Sequence, residues 1–257
     1  MKNEEVVIEL NSNITEKTND KREKVKLDIV LKFLFSTSEK VLINLLNGVF
    51  DENFNENEVK VSVSNNEFVD SELNIIRGDV FFNILKKSRD KVNYHIEFQT
   101  KNDNTMVIRM FEYGFNKGKE ELKLNQSDEM ETIYFPKQRV IFFEENKNIN
   151  NILKLKIVFS ENQSIIYEVP VMKYWEYTDE DLIKRKMYPL LPLQLFNLRK
   201  ELNVAQKKND IERIKKLSLK AREIALKIGK ESQDLLHENE ILHDDFHKML
   251  LAIQNLV

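Results

Sequence analysis

The chain has 257 residues, of which 41% are hydrophobic, and this length allows one large domain or a core with an appendage. It contains no cysteine, which excludes a disulfide framework, iron–sulfur clusters and cysteine nucleophiles and predicts a reducing, cytoplasmic environment. The 40 basic and 43 acidic side chains give a net charge of −3, so contacts with phosphates would need a local basic patch. Five scattered glycines supply no Gly-rich phosphate loop, which excludes nucleotide-driven chemistry.

The N-terminal residues 1–24 are polar and of mixed charge, and we expect them to form a tail that takes no part in catalysis. Acidic residues occur in Met1–Leu10, where a signal peptide would have basic and then apolar residues. No apolar run reaches the roughly 18 residues of a membrane span. The sequence therefore predicts neither secretion nor a membrane partner.

A helical segment precedes three strands in the first part of the chain. Apolar residues recur at helical spacing from Val25 to Phe50, with a polar break at Ser36–Glu39, and this predicts two helices or one kinked helix. Strand-like segments follow at Val59–Val63, Asp79–Leu85 and Val92–Thr100. The polar turns between them predict a three-stranded meander.

The helical period returns over Asn104–Leu122, and strand-like segments follow it. These three further strands are predicted at Arg139–Phe143, Leu153–Phe159 and Ile165–Val169. The order of helix, three strands, helix and strands predicts an α/β or α+β fold, with a mixed sheet flanked by helices.

Composition changes after Val171, and we place a boundary at residue 172. The predicted units are a core at 25–172 and a helical region at 173–257 that serves oligomerisation or DNA contact. Two apolar stripes with heptad-like spacing are separated by Gly229, which predicts a helix stop and hence a helical hairpin. The stripes are Ile214, Leu217, Ala221, Ile224 and Ile228, then Leu242, Phe246, Met249, Ile253 and Leu256.

Charge is unevenly distributed in this helical region. Lys200–Lys230 contains ten basic and four acidic residues, and 231–245 contains six acidic residues and no lysine or arginine. The basic stretch could follow a DNA backbone. The alternative, which we favour, is internal pairing across the hairpin or a solvated face.

Two histidines four residues apart, His243 and His247, superficially resemble a zinc-protease motif with Asp244 in place of its glutamate. Both flank the second apolar stripe, as ordinary helix positions would, and no third ligand is evident. We therefore treat a helical zinc hydrolase as the weakest interpretation.

The strand Tyr94–Gln99 holds the most informative pattern. A period of two puts His95, Glu97 and Gln99 on one face. Asp79 begins the preceding predicted strand, so its carboxylate could converge with that of Glu97. Two carboxylates, with the main-chain carbonyl of Phe98 beside them, make a hard oxygen site suited to Mg²⁺ or Mn²⁺. Such a metal activates water and neutralises charge on a phosphate.

The chain resembles the transposase-like branch of the PD-(D/E)XK nucleases, the recombination-promoting nuclease or putative transposase family, across roughly residues 25–172. The resemblance implies a restriction-endonuclease-like core of helix, three-stranded meander, helix and strand. It rests on four elements in order: Asp28-x3-Lys32-Phe33-x-Phe35, Gly78-Asp79, Ile96-Glu97-Phe98-Gln99 and Arg109-x3-Tyr113.

The resemblance also implies a Mg²⁺-dependent DNA endonuclease. Asp79, Glu97 and the Phe98 carbonyl would bind the metal, and Gln99 would orient the attacking water. Two departures are present, because Gly78 replaces the proline of the superfamily name and Gln99 replaces the lysine. A neutral amide orients water but adds no positive charge to the transition state, unless Lys101 supplies it.

Three further residues have two interpretations each. Arg109 and Tyr113 lie four apart on one helix face and could position a phosphate or support the carboxylates. The alternative is a surface pair, or a tyrosine anchored in the core with its hydroxyl satisfied. Asp28 either reaches the metal or opposes the helix dipole, and we prefer the second.

The alternative function is a non-catalytic interaction or assembly module on the same scaffold. In both interpretations we expect a homo-oligomer that forms through the C-terminal helices.

Overall fold

The structure is a computed structural model that describes residues 30–31, 33–64, 67–69, 75–77, 80–88, 90–100, 102–124, 132–160 and 163–256. The predicted tail and the candidate residues Asp28, Asp79 and Lys101 lie outside these ranges, as does Gly78. In the described part of the chain, no helix combines the length and the apolar character needed to cross a membrane.

Eight strands occur in the described residues, and six of them form one mixed sheet in the order β1-β4-β5-β6-β8-β7. The neighbours β1/β4, β4/β5 and β7/β8 are antiparallel, whereas β5/β6 and β6/β8 are parallel. The short strands β2 and β3 form a separate hairpin. In chain order the strands are β1 Val59–Ser64, β2 Glu67–Val69, β3 Ile75–Arg77, β4 Val80–Lys86, β5 Lys91–Gln99, β6 Lys137–Phe142, β7 Ile152–Val158 and β8 Ser164–Lys173.

Six α-helices accompany the sheet in the described ranges: α1 Glu39–Phe50, α2 Met106–Leu124, α3 Asp179–Lys184, α4 Arg199–Lys207, α5 Ile211–His237 and α6 His243–Leu256. Residues 30–31 and 33–34 are also helical, and 3-10 helices lie at Tyr174–Glu176 and Tyr188–Leu198. A capping box of Thr178 and Asp181 begins α3, and the Asp210 side chain accepts a hydrogen bond at the start of α5. These elements confirm the general prediction of a mixed sheet flanked by helices.

The two faces of the sheet are covered by different helices. Helix α2 connects the parallel neighbours β5 and β6, as a crossover must. Its Met110 and Tyr113 pack on one face in a small cluster with Phe81 of β4 and Val140 of β6. The other face contributes to the larger core, which also contains buried residues of α1, α4, α5 and α6. Strand β5 is therefore buried on both sides.

The predicted meander is confirmed, because β1, β4 and β5 are consecutive antiparallel neighbours in the sheet. The sequence did not predict the β2/β3 hairpin that lies between β1 and β4 in the chain. A helix over the region predicted at Asn104–Leu122 is also confirmed, as are the three later strands within a few residues.

The prediction that Gly229 ends a helix is wrong, because α5 continues through it to His237. The backbone of the described glycines never takes a positive φ, whereas Asn239 has a φ of 57° just beyond the actual helix end. A left-handed residue of this kind is what ends many helices. Helices α5 and α6 are still consecutive in the chain and are joined by the short connection between His237 and His243.

Both apolar stripes pack largely within this chain. Leu217, Ala221 and Ile228 of α5 and Met249 and Ile253 of α6 are buried in the same core as the sheet. Leu242, at the start of the second stripe, is 60% exposed. The apolar side chains of both stripes are therefore largely buried within this chain, in a core formed by residues from both before and after residue 172.

The expected pairing of acidic against basic residues across the hairpin differs from the pairs that the structure shows. Glu240 pairs with Lys186, and Asp244 pairs with Lys248 of its own helix. Glu231 lies 3.7 Å from Lys227, within α5. Because α5 extends to His237, the first acids of 231–245 belong to the same helix as the basic stretch.

Candidate active site

The centre of the sheet positions the candidate residues of β5. Ile96 pairs with Val80 of β4 on one side and with Arg139 of β6 on the other. Strand alternation directs Ile96 and its neighbours Tyr94 and Phe98 into the larger core. His95 and Glu97 point the opposite way, towards the face covered by α2, and they are 0% and 1% exposed. The polar face that the sequence predicted is therefore fully buried at these two positions.

Glu97 is held by a guanidinium group from α2. Arg109 Nη2 donates a hydrogen bond to Glu97 Oε1 at 2.7 Å. A charge-assisted contact of this length is among the stronger hydrogen bonds in proteins. Because the charged form of a buried carboxyl group is stabilised by an opposite charge, this contact favours an ionised Glu97.

Arg109 is itself fixed by two neighbours. Its Nε donates to Tyr113 Oη at 3.1 Å, and its Nη1 donates to Asp103 Oδ2 at 3.1 Å. Asp103 is further held by Thr105, whose hydroxyl donates to Asp103 Oδ1 at 2.6 Å. Burial alone would lower the pKa of Arg109, but Glu97 and the other partners outweigh this and raise it. The guanidinium is thus a permanent positive charge beside Glu97.

Of the two interpretations of Arg109 and Tyr113, the geometry agrees with support of a carboxylate. Tyr113 is 4% exposed and its hydroxyl binds Arg109, so it is both a core residue and a partner of the arginine. The sequence did not single out Asp103. Only its position in the loop before α2 could have suggested it, since it lies six residues from Arg109.

Gln99 lies at the end of β5, half-buried, with its Nε2 3.4 Å from Glu97 Oε1. Its main-chain carbonyl accepts a hydrogen bond from Phe143 N–H at 2.9 Å. The Phe98 ring packs on the other face of the sheet, stacked on Phe35 and Phe143. The amide of Gln99 is therefore beside the carboxylate and near the edge of the buried region.

His95 and Gln138 are polar residues of the same face that the site prediction omitted. They are direct neighbours on β5 and β6, and Gln138 Nε2 lies 3.0 Å from His95 Nδ1. Strand alternation predicts that His95 shares a face with Glu97. Nothing local in the sequence predicts Gln138, because its position depends on the parallel register.

The structure thus brings together Glu97, Gln99, Arg109 and Tyr113, whereas Asp28, Asp79 and Lys101 lie outside the described residues. Within the described ranges, no group of three or more His, Cys, Asp or Glu side chains has a geometry suited to a metal ion. Comparison with protein-family models, with curated proteins and with solved structures found no match. The resemblance to the PD-(D/E)XK nucleases therefore stays a prediction.

Proposed function

We propose that this protein is a Mg²⁺-dependent DNA endonuclease of the transposase-like PD-(D/E)XK kind. The observation that supports it best is the carboxylate of Glu97, which is almost fully buried on a central strand, is held by Arg109 and has the Gln99 amide 3.4 Å away. Buried carboxylates arranged by polar neighbours are typical of functional sites. An ordinary strand position would hold an apolar residue here.

The order of elements also supports the proposal. Apart from the inserted β2/β3 hairpin, a helix, three antiparallel strands, a crossover helix and a parallel strand follow one another as α1, β1, β4, β5, α2 and β6. This is the order that the restriction-endonuclease-like core requires. Many functions share general α/β folds, so the order supports the nuclease core only together with the site.

The donor chemistry of Glu97 fits a magnesium site. Mg²⁺ prefers carboxylate oxygens and retains several waters, and Arg109 favours the ionised form of Glu97 that such a site needs. The second ligand in the proposal is Asp79, which precedes Val80 in the chain, and Val80 pairs with Ile96 beside Glu97.

Each residue has a role in the proposed hydrolysis. Magnesium held by Asp79, Glu97 and the Phe98 carbonyl would activate water and neutralise charge on the phosphate. Gln99 would orient the water that adds to phosphorus while a P–O ester bond breaks, leaving a phosphate monoester and a hydroxyl group. Arg109 and Tyr113 would hold Glu97 in one orientation. Lys101 remains the proposed source of an additional positive charge.

A plasmid-nicking experiment tests the proposal. Supercoiled DNA is incubated with the protein in Mg²⁺, Mn²⁺ or EDTA, and relaxed and linear products are separated on a gel. We expect metal-dependent nicking by the native chain and its loss in Asp79→Asn and in Glu97→Gln. The control is Glu168→Gln, which removes an exposed carboxylate paired with Lys154 on the β7/β8 hairpin. Nicking that persists in both site variants, or that ignores EDTA, would refute the proposal.

The second candidate is a non-catalytic interaction or assembly module on this scaffold. It is favoured by one contact, because Arg109 already balances the charge of Glu97 and the carboxylate needs no metal for its stability. In that case the native chain nicks no plasmid in either metal. Its melting temperature would also be the same with Mg²⁺ and with EDTA.

DNA and a second copy of the chain are the proposed partners. Lys215, Lys216, Lys220, Arg222 and Lys230 are exposed on α5 and offer positive charge to a DNA backbone. Leu219 and Leu226 of the same helix are 61% and 65% exposed, so an oligomer through α5 would use this face in place of the buried stripe. Light scattering in the micromolar range tests the oligomer, and a monomer mass at all concentrations would refute self-association.

A further inference from the structure

A chain of polar side chains, buried except for the half-buried Tyr167, runs from β8 through β6 to Glu97 on β5. Tyr167 of β8 donates its hydroxyl proton to Gln138 Oε1. Gln138 of β6 lies beside His95 of β5, with Nε2 3.0 Å from Nδ1. His95 Nε2 is in turn 3.4 Å from Glu97 Oε2. The members Tyr167, Gln138 and His95 are called the buried polar chain below.

The amide of Gln138 has only one orientation that satisfies its neighbours. Its Nε2 is 2.7 Å from the main-chain carbonyl oxygen of Met110, which can only accept a hydrogen bond. The nitrogen must therefore face Met110 and the oxygen must face Tyr167. Burial raises the pKa of Tyr167, so its hydroxyl remains a donor at neutral pH.

This orientation decides which ring nitrogen of His95 carries a proton. Gln138 Nε2 is a donor, so Nδ1 accepts from it and has no hydrogen of its own. In the neutral imidazole the proton then lies on Nε2, the atom closest to Glu97. The ring is held in this position by parallel stacking on Phe81, with centroids 4.1 Å apart, and by an edge contact with Tyr113.

We propose that His95 is a positioning residue for Glu97, with Gln138 selecting its Nε2–H tautomer. His95 Nε2 is buried 3.4 Å from Oε2 without forming a hydrogen bond to it, while Arg109 donates to Oε1, so a different polar group lies beside each oxygen. The 3.4 Å separation is longer than a standard hydrogen bond, so His95 acts by electrostatic orientation. This inference rests on the proposed function, because it takes Glu97 as the metal ligand whose orientation matters.

Partners behind a metal ligand fix its orientation, and their loss typically weakens metal binding about 10- to 100-fold. The buried polar chain would have this effect from the core side of Glu97. In this proposal its members bind neither the substrate nor the metal. The effect of the chain should therefore be measurable as a change in metal affinity and in the tautomer of His95, without an assay of DNA cleavage.

The first measurement is the tautomer of His95, read from the ¹⁵N chemical shifts of the histidine side chains at neutral pH. The His95 signals are assigned by their loss in His95→Phe, which distinguishes them from the other three histidines. We expect a protonated Nε2 and an unprotonated Nδ1. A protonated Nδ1, alone or together with Nε2, would overturn the inference whether or not the protein cleaves DNA.

The second measurement is the affinity for Mn²⁺, followed by electron paramagnetic resonance of the free ion. His95→Phe keeps an aromatic ring against Phe81 but removes Nε2–H, and we expect binding to weaken at least about 10-fold. The control Glu168→Gln changes an exposed carboxylate of the β7/β8 hairpin and leaves His95 and its neighbours in place, so its affinity should stay close to the native value. Unchanged binding in a folded His95→Phe variant would overturn the positioning role.

A third variant protects the test against a folding failure. Gln138→Met removes the amide donor at similar length, and we expect a mixture of His95 tautomers together with weaker Mn²⁺ binding. A single unchanged tautomer in this variant would overturn the role of Gln138. Native protein that binds no Mn²⁺ would instead refute the proposed metal site itself, and the inference with it.

Discussion

Arg109 of α2 and Glu97 of β5 form an ion pair between the helix and the sheet, with Nη2 2.7 Å from Oε1. The glutamate side chain is 1% exposed, and that of the arginine is 30% exposed. One partner is thus removed from water while the other still reaches it. The arginine stabilises a carboxylate that the strand alone would bury without a counter-charge.

Removing this arginine should therefore destabilise the fold strongly. We expect Arg109→Met to lower the free energy of unfolding by about 3–5 kcal/mol, because it leaves a buried charge uncompensated. Adding Glu97→Gln to the same chain should restore part of the loss. Urea unfolding of the native chain, the two single variants and the double variant gives the coupling energy.

The matched control is Arg213→Met, which breaks an ion pair with Glu201 whose two side chains are about half exposed. A surface pair of this kind contributes about 0–1 kcal/mol. Equal losses in Arg109→Met and Arg213→Met would contradict the structural role given to the Glu97 pair.

Asp245 connects two distant parts of the chain. It is fully buried, and its carboxylate accepts hydrogen bonds from Ser38 N–H and Ser38 Oγ at 2.6 Å each and from Leu242 N–H at 3.0 Å. Because hydrogen bonds to a charged group contribute about 1.5–3 kcal/mol each, Asp245→Ala should lower the free energy of unfolding by at least about 2 kcal/mol. Denaturant unfolding measures the loss.

The neighbouring Asp244 provides the control for this prediction, because its side chain is exposed and pairs with Lys248 one turn further along α6. We expect Asp244→Ala to change stability by less than about 0.5 kcal/mol. If the two alanine variants unfold at the same urea concentration, the contact between α6 and the start of α1 does not stabilise the protein.

Two glycines in the helices should respond in opposite ways to alanine. At Gly229 an added Cβ would be 3.9 Å from Leu250 Cδ2, an ordinary contact, so Gly229→Ala should gain about 0.5–1 kcal/mol from helix propensity. At Gly114 the Cβ would be 2.5 Å from Phe135 Cδ1 and 2.9 Å from Gln138 Oε1, so Gly114→Ala should destabilise the protein. Melting temperatures that move in the same direction would contradict this difference in packing.

A carboxyl cluster between α3 and α5 should make stability depend on pH. Burial and the neighbouring Asp179 raise the pKa of Glu231 from 4.5 to about 7. Between these values the folded protein binds more protons than the unfolded chain, so stability should fall as pH rises from about 4.5 to about 7. Glu231→Gln removes this contribution, and its melting temperature should decline less than that of the native chain over this range.

Glu223→Gln is the control for the pH experiment, because it changes an exposed carboxylate of the same helix. Its melting temperature should follow the native pH dependence. The prediction fails if Glu231→Gln also follows the native curve from about pH 5 to about pH 7.

Local rules were sufficient for the parts of the site that depend on one element. A period of two placed His95 and Glu97 on one face, and a spacing of four placed Arg109 and Tyr113 on one helix face. The start of α1 after Ser36–Ser38 followed from the polar break in the apolar pattern. These predictions succeeded because each depends on backbone geometry within a few residues.

Local rules failed where distant residues decide the outcome. The sequence predicted that Gly229 ends a helix. In the structure Ile228 before it and Leu235 after it are buried in the core along the same helix, and this burial outweighs the cost of one helical glycine. The actual end, near Asn239, has no comparably strong signal in the sequence. The same holds for Asp245, whose partner Ser38 is 207 positions away.

The sequence by itself determined the class of fold and the placement of His95, Glu97 and Gln99 on one face of a strand. Only the tertiary structure decided the burial of that face and the contacts across it: Arg109 contacts Glu97 because α2 crosses over that face, and Gln138 contacts His95 because β6 pairs with β5 in parallel at that register. The reason is physical. Periodicity is set by the geometry of one backbone segment, whereas contact between segments depends on how all of them pack together.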